Sequence, residues 1–449
     1  MVEVFYRTKS EVEKNMGIKY YSTPMDINLT GFYVKKKLGD FVVHEILRGK
    51  IILPVKKVGK IYSPVEDEKG KYLRIVLVKK GVDTFSLLNF ISRKFNVPLS
   101  EIGFLGLKDA RGITSQVISI IFGKNGMSFD DVKEIKKMKS IKMLNVYRSC
   151  APVTSHELFG NKFTIILRGR EDAVNDDFIH NIIILQKLLQ NKSLPSYFGY
   201  QRFGLKPPFN HIIGKSIIRE ENEKVIKLML MKKEERGLDK NFTYENFGFD
   251  YEDYLIKVLE KGYEKNTEKI EELPKIVIRF FVQAYQSFLF NEMINMRIVK
   301  DISLTYPIVG DIVGPYHSTI LKNEDIIVVT DRNIDKINDM IRKGIFTVIY
   351  PLPGYLVDIM KKPIGDAYEP IAKIMDSEKI NFQNFLLKEI PEISLAGYYR
   401  PLTFRVYDFI LCETKNCKIT CSFTLKKGFY ATLVLRELIK PEKPQDVGF

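Results

Sequence analysis

Hydrophobic and polar residues follow different patterns in successive parts of the chain. Residues 30–80 mix β-branched and aromatic residues with charges at short spacing, which predicts strands. Farther along, apolar residues fall three and four apart, which predicts long helices over residues 215–237 and 274–298. Residues 305–365 and 400–438 return to short apolar runs typical of strands. We therefore expect one domain inserted into another, whose last strands come from the carboxy-terminal part of the chain.

A polar loop interrupts the regular elements of the first part. A helix is predicted over residues 84–95 with Thr84 as its N-cap, and a strand over residues 116–122. The loop between them carries Lys108, Asp109 and Arg111, although an ordinary turn needs only a glycine or an aspartate. So many polar groups in one loop indicate a site. Further elements are predicted over residues 128–140 (helix), 161–170 (strand), 176–192 (helix) and 196–211 (irregular).

The helix predicted over residues 274–298 has a clear apolar face. Ile276, Phe280, Ala284 and Phe288 fall four residues apart, so this face is expected to lie in the core.

The net charge of the chain indicates which class of partner it could bind. The 70 Lys and Arg residues outnumber the 55 Asp and Glu residues, giving a formal charge of +15 and a pI near 9.3. This charge favours a polyanion, with tRNA, rRNA or DNA ahead of an anionic membrane. The alternative is a lysine-rich composition that reflects an AT-rich genome or a high growth temperature. At 449 residues the chain is expected to form two or three domains.

Several classes of protein and site are not expected. No apolar run approaches the roughly 18 residues of a membrane span, and the first residues lack the apolar stretch of a signal peptide, so we expect a soluble, cytoplasmic protein. Cys412, Cys417 and Cys421 cluster without a C-x-x-C pair or a nearby histidine, so free thiols are expected and no metal. The five histidines show no ligand spacing and are interpreted as structural or surface residues: His44, His156, His180, His211 and His317.

Asp109 is the residue in the polar loop that suits catalysis. A carboxylate beside cations keeps a low pKa and stays ionised, as a nucleophile or a base requires. The alternative is an aspartate that closes an Asx-turn between solvated neighbours. No Ser-His-Asp order, phosphate-binding loop or G-x-G-x-x-G pattern occurs, so ATP and dinucleotide cofactors are not expected.

The loop sequence "GLKDARGITSQ" resembles the G-x-K-D-x-x-A/G-x-T-x-Q signature of the TruD family of pseudouridine synthases. Further stretches resemble the family's motifs in the same order. They are "GDFVVHEI", "FGNKFTIILRG", "SYFGYQRFG" with Ser196 where asparagine is usual, "AYQSFLFNEMI" and "LKKGFYATLVLREL". The resemblance runs from about residue 39 to residue 438.

The resemblance implies roles for single residues. Asp109 becomes the catalytic residue, Phe163 or Tyr430 a stacking surface for the base, and Arg436 a candidate partner for the catalytic carboxylate. The residues implied in substrate binding are Glu45, Lys108, Gln116, Asn161, Phe163, Tyr430 and Arg436. Those suggested for RNA binding are Arg202, Lys426 and Lys427, with further lysine clusters at 35–37 and 133–139 that are alternatively solvated faces.

The resemblance also implies a fold and a reaction. The fold is α+β: a catalytic domain with a mixed β-sheet (residues 1–190 and 402–449), and an inserted, largely helical TRUD domain (residues 191–401) across a cleft. The reaction converts a uridine of tRNA, at position 13 in the D arm, to pseudouridine by base flipping and without a cofactor. The sequence does not give the oligomeric state, and a monomer is favoured.

Three alternatives to this predicted function remain. The first is a non-catalytic RNA-binding protein that keeps the fold and the basic surface. The second is a pseudouridine synthase that acts at another tRNA position or on another RNA. The third, an RNA methyltransferase, is disfavoured because no glycine-rich loop follows a strand to seat S-adenosylmethionine.

Overall fold

A computed structural model describes most of the chain. The described residues are 3–56, 67–106, 108, 111–123, 126–174, 177–205, 207–236, 275–316, 321–414 and 417–449. Within these ranges, no helix combines the length and the apolarity that a membrane crossing needs.

Helices and strands are mixed along the described residues, as the hydrophobic pattern predicts. The helices are α1 (Glu11–Asn15), α2 (Thr84–Phe95), α3 (Phe129–Lys136), α4 (Phe178–Asn191), α5 (Tyr200–Phe203), α6 (Asn210–Ile218), α7 (Asn222–Arg236), α8 (Lys275–Val299), α9 (Ile334–Arg342), α10 (Glu369–Ser377) and α11 (Ala431–Ile439). The strands are β1 (Tyr6–Arg7), β2 (Tyr20–Tyr21), β3 (Phe32–Tyr33), β4 (Phe41–Leu47), β5 (Ile51–Ile52), β6 (Tyr72–Lys80), β7 (Gly103–Phe104), β8 (Ile113–Ile121), β9 (Ile141–Ser149), β10 (Leu158–Gly169), β11 (Leu194–Pro195), β12 (Ile312–Pro315), β13 (Ile327–Val328), β14 (Phe346–Pro351), β15 (Tyr399–Pro401), β16 (Thr403–Phe404), β17 (Tyr407–Thr414) and β18 (Lys418–Lys426).

A large mixed sheet is the centre of the structure. Its strand order is β17-β18-β10-β4-β8-β6-β9, with the short strands β3, β5 and β7 pairing at β10, β4 and β8. The pairing of β4 with β8 is parallel, and the other pairings in this sheet are antiparallel. Apolar side chains of β6, β8, α2 and α3 form one core cluster on this sheet, and a larger cluster includes residues of β10, β18, α8 and α11. The α+β fold with a mixed sheet is therefore confirmed.

A second, antiparallel sheet has the strand order β13-β12-β14-β15. It comes from the stretch between β10 and β17 that also supplies the long helix α8. The large sheet thus takes its strands from before and after this stretch. The boundaries expected for an inserted domain, residues 191–401, stay a prediction.

Helix α2 begins as the sequence predicts, but its N-cap is a different residue. The Asp83 carboxylate accepts a hydrogen bond from the Ser86 backbone N–H (2.8 Å), and Thr84 is the first helical residue. Aspartate caps a helix at least as well as threonine, because its carboxylate also favours the positive end of the helix dipole. The Thr84 hydroxyl is thereby left to bind another part of the chain.

The single helix predicted over residues 215–237 is wrong, because two helices occupy the described part of this stretch. Helix α6 ends at Ile218 and α7 begins at Asn222. Between them Glu220 has a left-handed backbone conformation (φ 58°), which an α-helix cannot accommodate. The apolar spacing continues across the break, so periodicity alone did not reveal it.

Helix α8 is confirmed, but its buried surface is broader than the predicted stripe. Ala284 is fully buried, whereas Phe280 and Phe288 are only partly buried. Ile278 and Leu289, which lie outside the predicted stripe, are also fully buried. The helix packs against both α6 and α10, so more than one face contacts apolar neighbours.

Candidate active site

The polar loop that carries the predicted catalytic residue connects β7 to β8. Asp109 itself lies outside the described residues, together with Leu107 and Ala110. Strand β8 runs between β4 and β6 in the large sheet, so the loop leads directly into the interior of that sheet. The described residue next to Asp109 is Lys108, and its contacts define the surroundings of the loop.

The Lys108 side chain joins two other predicted site residues. Its Nζ donates a hydrogen bond to Asn161 Oδ1 (2.9 Å) and lies 3.2 Å from Glu45 Oε1. The side chain of Lys108 is 9% exposed and that of Glu45 is fully buried. Three residues that are far apart in sequence therefore meet beside the polar loop.

Strand pairing brings Asn161 and Glu45 together. The two residues are directly opposite each other in the antiparallel pairing of β10 with β4. A β-bulge between Leu158 and Gly160 shifts the register just before Asn161, as bulges next to sites often do. A side chain at Gly160 would place its Cβ 2.2 Å from the Leu425 carbonyl oxygen, so only glycine allows this approach of β18.

The pKa of the Glu45 carboxylate is raised by its surroundings. Burial raises its pKa above the ordinary value, and the nearby Lys108 ammonium, the Val117 N–H and Lys79 lower it only in part. Glu45 Oε2 accepts a hydrogen bond from the Val117 N–H (3.2 Å). Oε1 is within ion-pair distance of Lys108 but lacks hydrogen-bond geometry. The ion pair therefore lies in a largely dehydrated place, where charge interactions are strong.

The backbone of Lys108 is held on both sides of the residue. Its N–H donates to Thr84 Oγ1 (3.0 Å), and its carbonyl oxygen accepts from the Thr84 N–H (3.3 Å) and from Lys79 Nζ (3.1 Å). Lys79 Nζ also donates to the Val82 carbonyl oxygen (2.6 Å) and is buried. The peptide that leads into Asp109 is thus fixed by the start of α2 and the end of β6.

Gln116, another predicted site residue, is connected to Lys108 through the hydroxyl of Thr84. The Thr84 hydroxyl donates to Gln116 Oε1 (3.1 Å) while it accepts from Lys108, and both side chains are buried. Sequence reasoning missed Thr84 and Lys79 as contributors to the site. The sequence suggests Thr84 only as a helix cap. Nothing in the sequence distinguishes Lys79 from an exposed lysine, although its side chain is buried.

Phe163 lies two residues beyond Asn161 on β10, and hence on the same face of the strand. Its ring stacks on Phe423 (5.2 Å between centroids) and meets Phe41 edge-on (6.2 Å). The residue is 7% exposed. Phe163 therefore belongs to the core beside the site, and its stacking on a substrate base stays a prediction.

Tyr430 lies at the start of α11, where it is half-buried. Its ring meets that of Phe198 edge-on, with the centroids 6.2 Å apart. A Cβ on Gly199 would lie 3.1 Å from Tyr430 Cγ, so the glycine permits the close approach of the two segments. A stacking role for Tyr430 also stays a prediction.

Arg436 has a carboxylate partner that the sequence does not suggest. Its Nε and Nη2 donate to Glu13 Oε1 (2.8 Å) and Oε2 (2.9 Å), and both side chains are buried. The Tyr21 ring lies 3.5 Å from the guanidinium carbon, and the Tyr200 hydroxyl also donates to Glu13. The structure thus places Arg436 in an ion pair with α1, in contrast to the suggested pairing with Asp109, and its role in substrate binding stays a prediction.

The two lysines suggested for RNA binding differ from exposed phosphate-binding side chains. Lys426 is 9% exposed; its ammonium lies 3.7 Å from the centre of the Tyr316 ring, and burial lowers its pKa to about 8. Lys427 is half-buried and donates to the Ser155 carbonyl oxygen (2.8 Å), and burial lowers its pKa. Lys426 Nζ also donates to the Tyr316 carbonyl oxygen (3.1 Å), and an RNA role for either lysine stays a prediction.

Other basic residues are placed as follows. In α3, Lys133 forms an exposed ion pair with Asp130, and Lys137 one with Glu134. Such pairs are typical of a solvated helix face and contribute little to stability. Arg202, also suggested for RNA binding, is half-buried on α5 and donates to Gln283 Oε1 (3.1 Å).

The histidines and cysteines form no metal site in the described ranges, where no group of three His, Cys, Asp or Glu side chains could hold an ion. His44 Nδ1 lies 2.9 Å from the Leu53 carbonyl oxygen, and His211 is buried against Phe288. His156 and His180 are exposed, and His317 lies outside the described residues. No disulfide joins the cysteines of the described ranges: Cys150, Cys412, Cys417 and Cys421.

Comparison of the sequence and the fold with known proteins identifies the family of the chain. The sequence model of the tRNA pseudouridine synthase D (TruD) family matches residues 15–438. The chain belongs to the TruD family. It is therefore an enzyme of the pseudouridine synthase class, as its resemblance to the TruD motifs implies.

Similar proteins cover nearly the whole chain. A protein of Pyrobaculum islandicum named "Probable tRNA pseudouridine synthase D" is 29% identical, over 97% of this chain and 98% of its own length. One of the same name from Methanosarcina barkeri is also 29% identical, over 97% of this chain and 99% of its own. A solved TruD-type crystal structure from Methanosarcina mazei is 27% identical and has a TM-score of 0.67, covering 97% of this chain and 99% of that one. The two folds thus match over nearly the whole length of both chains.

Proposed function

We propose that this TruD-family enzyme converts a specific uridine of tRNA to pseudouridine at the loop that carries Asp109. The observation that supports this site is the convergence on Lys108. Glu45 and Asn161 hold its ammonium, and Thr84 and Lys79 hold its backbone. The backbone that leads to the next residue is therefore held in place. A catalytic carboxylate on that residue would benefit, because catalytic groups act efficiently when their position is fixed in advance.

The reaction moves uracil from an N1 to a C5 glycosidic bond. The bond from C1′ to N1 breaks, the base turns, and a bond from C1′ to C5 forms while the C5 hydrogen leaves as a proton and N1 gains one. No atom is lost or gained overall and nothing is oxidised, so the chemistry itself requires no cofactor. In our proposal the Asp109 carboxylate either attacks the nucleoside or removes its C2′ proton, and both roles require the ionised form.

The target uridine has to leave the RNA stack before the carboxylate can reach it. We infer that the base enters a pocket beside the loop, where Phe163 or Tyr430 provides an aromatic surface. Lys108 and Asn161 would donate hydrogen bonds from the same side. The Glu45 carboxylate keeps the Lys108 ammonium in place, so its contribution would be to position Lys108 rather than to touch the base.

The substrate is proposed to be a tRNA, modified at uridine 13 in the D arm. The similarity to proteins named tRNA pseudouridine synthase D supports a tRNA, and the net charge of +15 supports a large polyanion. Structured RNA is recognised by its shape and by bases that are not stacked, which suits a nucleotide in a folded arm.

The experiment uses an unmodified tRNA transcript with uridine at position 13 and a matched transcript with cytidine there. Each is incubated with the wild-type protein, and pseudouridine is located by carbodiimide adducts that stop primer extension. We expect one stop at position 13 in the first transcript and none in the second. A stop elsewhere would contradict the proposed position. The absence of any stop, with the tRNA bound, would favour a non-catalytic RNA-binding protein or another RNA substrate.

A further inference from the structure

Arg400, on β15, is a buried cation that the site described above does not use. It is 6% exposed, and its guanidinium carbon lies 4.1 Å from the centre of the Phe198 ring. Three of its N–H groups donate to backbone carbonyl oxygens: Nε to Ser196 (3.1 Å), Nη1 to Gly428 (3.1 Å) and Nη2 to Tyr197 (3.4 Å). A guanidinium has five such donors, so these bonds leave two of them over.

A second arginine lies next to the first. The guanidinium carbon of Arg202 is 5.8 Å from the centre of the same Phe198 ring. Its Nη1 donates to Gln283, and its buried Nε has no hydrogen-bond partner in the described part of the chain. Two guanidinium groups therefore lie near the same aromatic ring. Their mutual repulsion is unfavourable unless a negative charge binds beside them.

Within the part of the chain that the structure describes, no carboxylate neutralises this pair. In the described ranges neither Arg202 nor Arg400 forms an ion pair with an aspartate or glutamate. Burial lowers the pKa of Arg400, the charge of Arg202 lowers it further, and only the tyrosines Tyr430 and Tyr398 oppose the shift. Elsewhere in the structure, buried arginines are paired, as Arg436 is with Glu13 and Arg297 is with Asp311. Among the buried arginines of the described ranges, Arg400 is thus the exception, and half-buried Arg202 beside it adds a second charge that calls for an anion.

Half-buried Arg202 leaves the pair partly open to solvent, and Arg400 contacts the end of β18, a strand that borders the candidate active site. Tyr398, which interacts with both arginines, is 51% exposed. Gly428, whose carbonyl oxygen binds Arg400, follows the end of β18, and Leu425 of β18 pairs with Asn161. Tyr430 is part of the same group of side chains and is a proposed contact of the target base.

We propose that Arg202 and Arg400 form the binding site for one backbone phosphate of the RNA, next to the target nucleotide. A phosphodiester supplies the missing negative charge and accepts hydrogen bonds from guanidinium groups in a matching geometry. Arg202, which is half-buried, donates to the phosphate, and Arg400 adds its charge from within the protein. This inference rests on the proposed function, because it takes RNA as the substrate.

The first test measures tRNA binding by Arg202→Gln over a series of KCl concentrations. Loss of one phosphate contact reduces the slope of log K against log[KCl] by roughly 0.7 to 1. We also expect the Kd to rise about tenfold at fixed salt, as for the loss of a charged hydrogen bond. Arg342→Gln is the matched control, because it removes an exposed arginine at the end of α9 and should keep the wild-type slope.

The second test removes the charge from the RNA instead of the protein. Substrates carry a single neutral methylphosphonate at each position flanking the target uridine in turn. For the wild type, one position should weaken binding about tenfold, and the same position should have no further effect on Arg202→Gln. Arg400→Lys, which keeps the buried charge, should remain sensitive at that position. Either an unchanged salt slope in Arg202→Gln or additive effects at every position would overturn the proposal.

These binding measurements separate the two claims. If the wild-type protein binds tRNA but forms no pseudouridine, the proposed reaction fails and the phosphate site can still be judged from the salt slope. If pseudouridine forms but Arg202→Gln binds and reacts as the wild type does, the reaction holds and the phosphate site is refuted.

Discussion

Lys108 has three polar groups, and each of them is held by another part of the chain. Its ammonium binds Asn161 and pairs with Glu45, its N–H binds the Thr84 hydroxyl, and its carbonyl oxygen binds Lys79. Thr84 is the common element, since it also donates to Gln116. At the scale of single residues, the account makes Thr84 a positioning residue for the loop that carries the proposed catalytic carboxylate.

Substitution of Thr84 tests this role. Thr84→Val keeps the shape of the side chain but removes the hydroxyl, so the Lys108 N–H and the side-chain Oε1 of Gln116 both lose a partner. We expect kcat to fall by about ten- to a hundredfold with KM nearly unchanged, because a shift of the loop affects positioning more than RNA affinity. The unfolding free energy should fall by about 1–3 kcal/mol.

Thr84→Ser is the matched control, because it restores the hydroxyl without the methyl group. Steady-state kinetics and urea denaturation of the three proteins provide the comparison. Recovery of kcat in Thr84→Ser would support the positioning role. An equal loss of kcat in both variants would instead indicate a packing effect of the methyl group.

The sequence predicts part of this site and not the rest. The motif residues Glu45, Lys108, Gln116 and Asn161 are recognised by their resemblance to family motifs, and the structure places all four around the loop. Thr84 lies outside those motifs, and its role depends on Asp83 having taken the cap. Whether a polar side chain caps a helix or reaches across to another loop is decided by tertiary contacts, which a local pattern does not contain.

At the scale of elements, β4, β6, β8, β10, β17 and β18 and helices α2, α4 and α8 overlap segments that the sequence predicts. Strand β9 was not predicted, and the end of the stretch expected to form strands, residues 400–438, instead forms helix α11. The break between α6 and α7 was missed, because the apolar spacing continues across it and only the backbone of Glu220 departs from the helix. The association of α1 with α11 was missed for another reason. Glu13 and Arg436 are more than 400 positions apart, and no local pattern relates them.

The ion pair between α1 and α11 leads to a prediction of stability. Glu13→Gln removes the charge that neutralises buried Arg436 and keeps the size of the side chain. We expect the unfolding free energy to fall by about 3–5 kcal/mol, because a buried cation is left without its counter-charge. Urea denaturation followed by circular dichroism measures the change.

Glu11→Gln is the matched control in the same helix. The Glu11 side chain is 78% exposed and forms an ion pair with Lys14 on the surface, so its loss should have little effect on the denaturation midpoint. A midpoint of Glu13→Gln as close to the wild type as that of Glu11→Gln would show that the ion pair does not hold the two helices together.

At the scale of the whole molecule, the net charge of +15 correctly suggests a protein that handles nucleic acid, since the chain belongs to a family of tRNA pseudouridine synthases. Charge alone does not show which cations contact RNA. Lys426 is buried against Tyr316, and Lys133 is paired with Asp130 on the surface. Half-buried Arg202 is the better candidate, with buried Arg400 adding its charge from behind, and only the folded chain brings the two arginines together.

The central claim is that the loop fixed through Lys108 carries the catalytic carboxylate, Asp109. The most direct test is the single-turnover release of tritium from tRNA labelled at C5 of uridine, because the new glycosidic bond displaces that hydrogen. Asp109→Asn is compared with the wild type and with Asp366→Asn, which changes an exposed aspartate elsewhere. We predict wild-type release for Asp366→Asn and, for Asp109→Asn, a rate lower by about a thousandfold or more with tRNA binding retained. Release by Asp109→Asn within about tenfold of the wild-type rate would contradict the account.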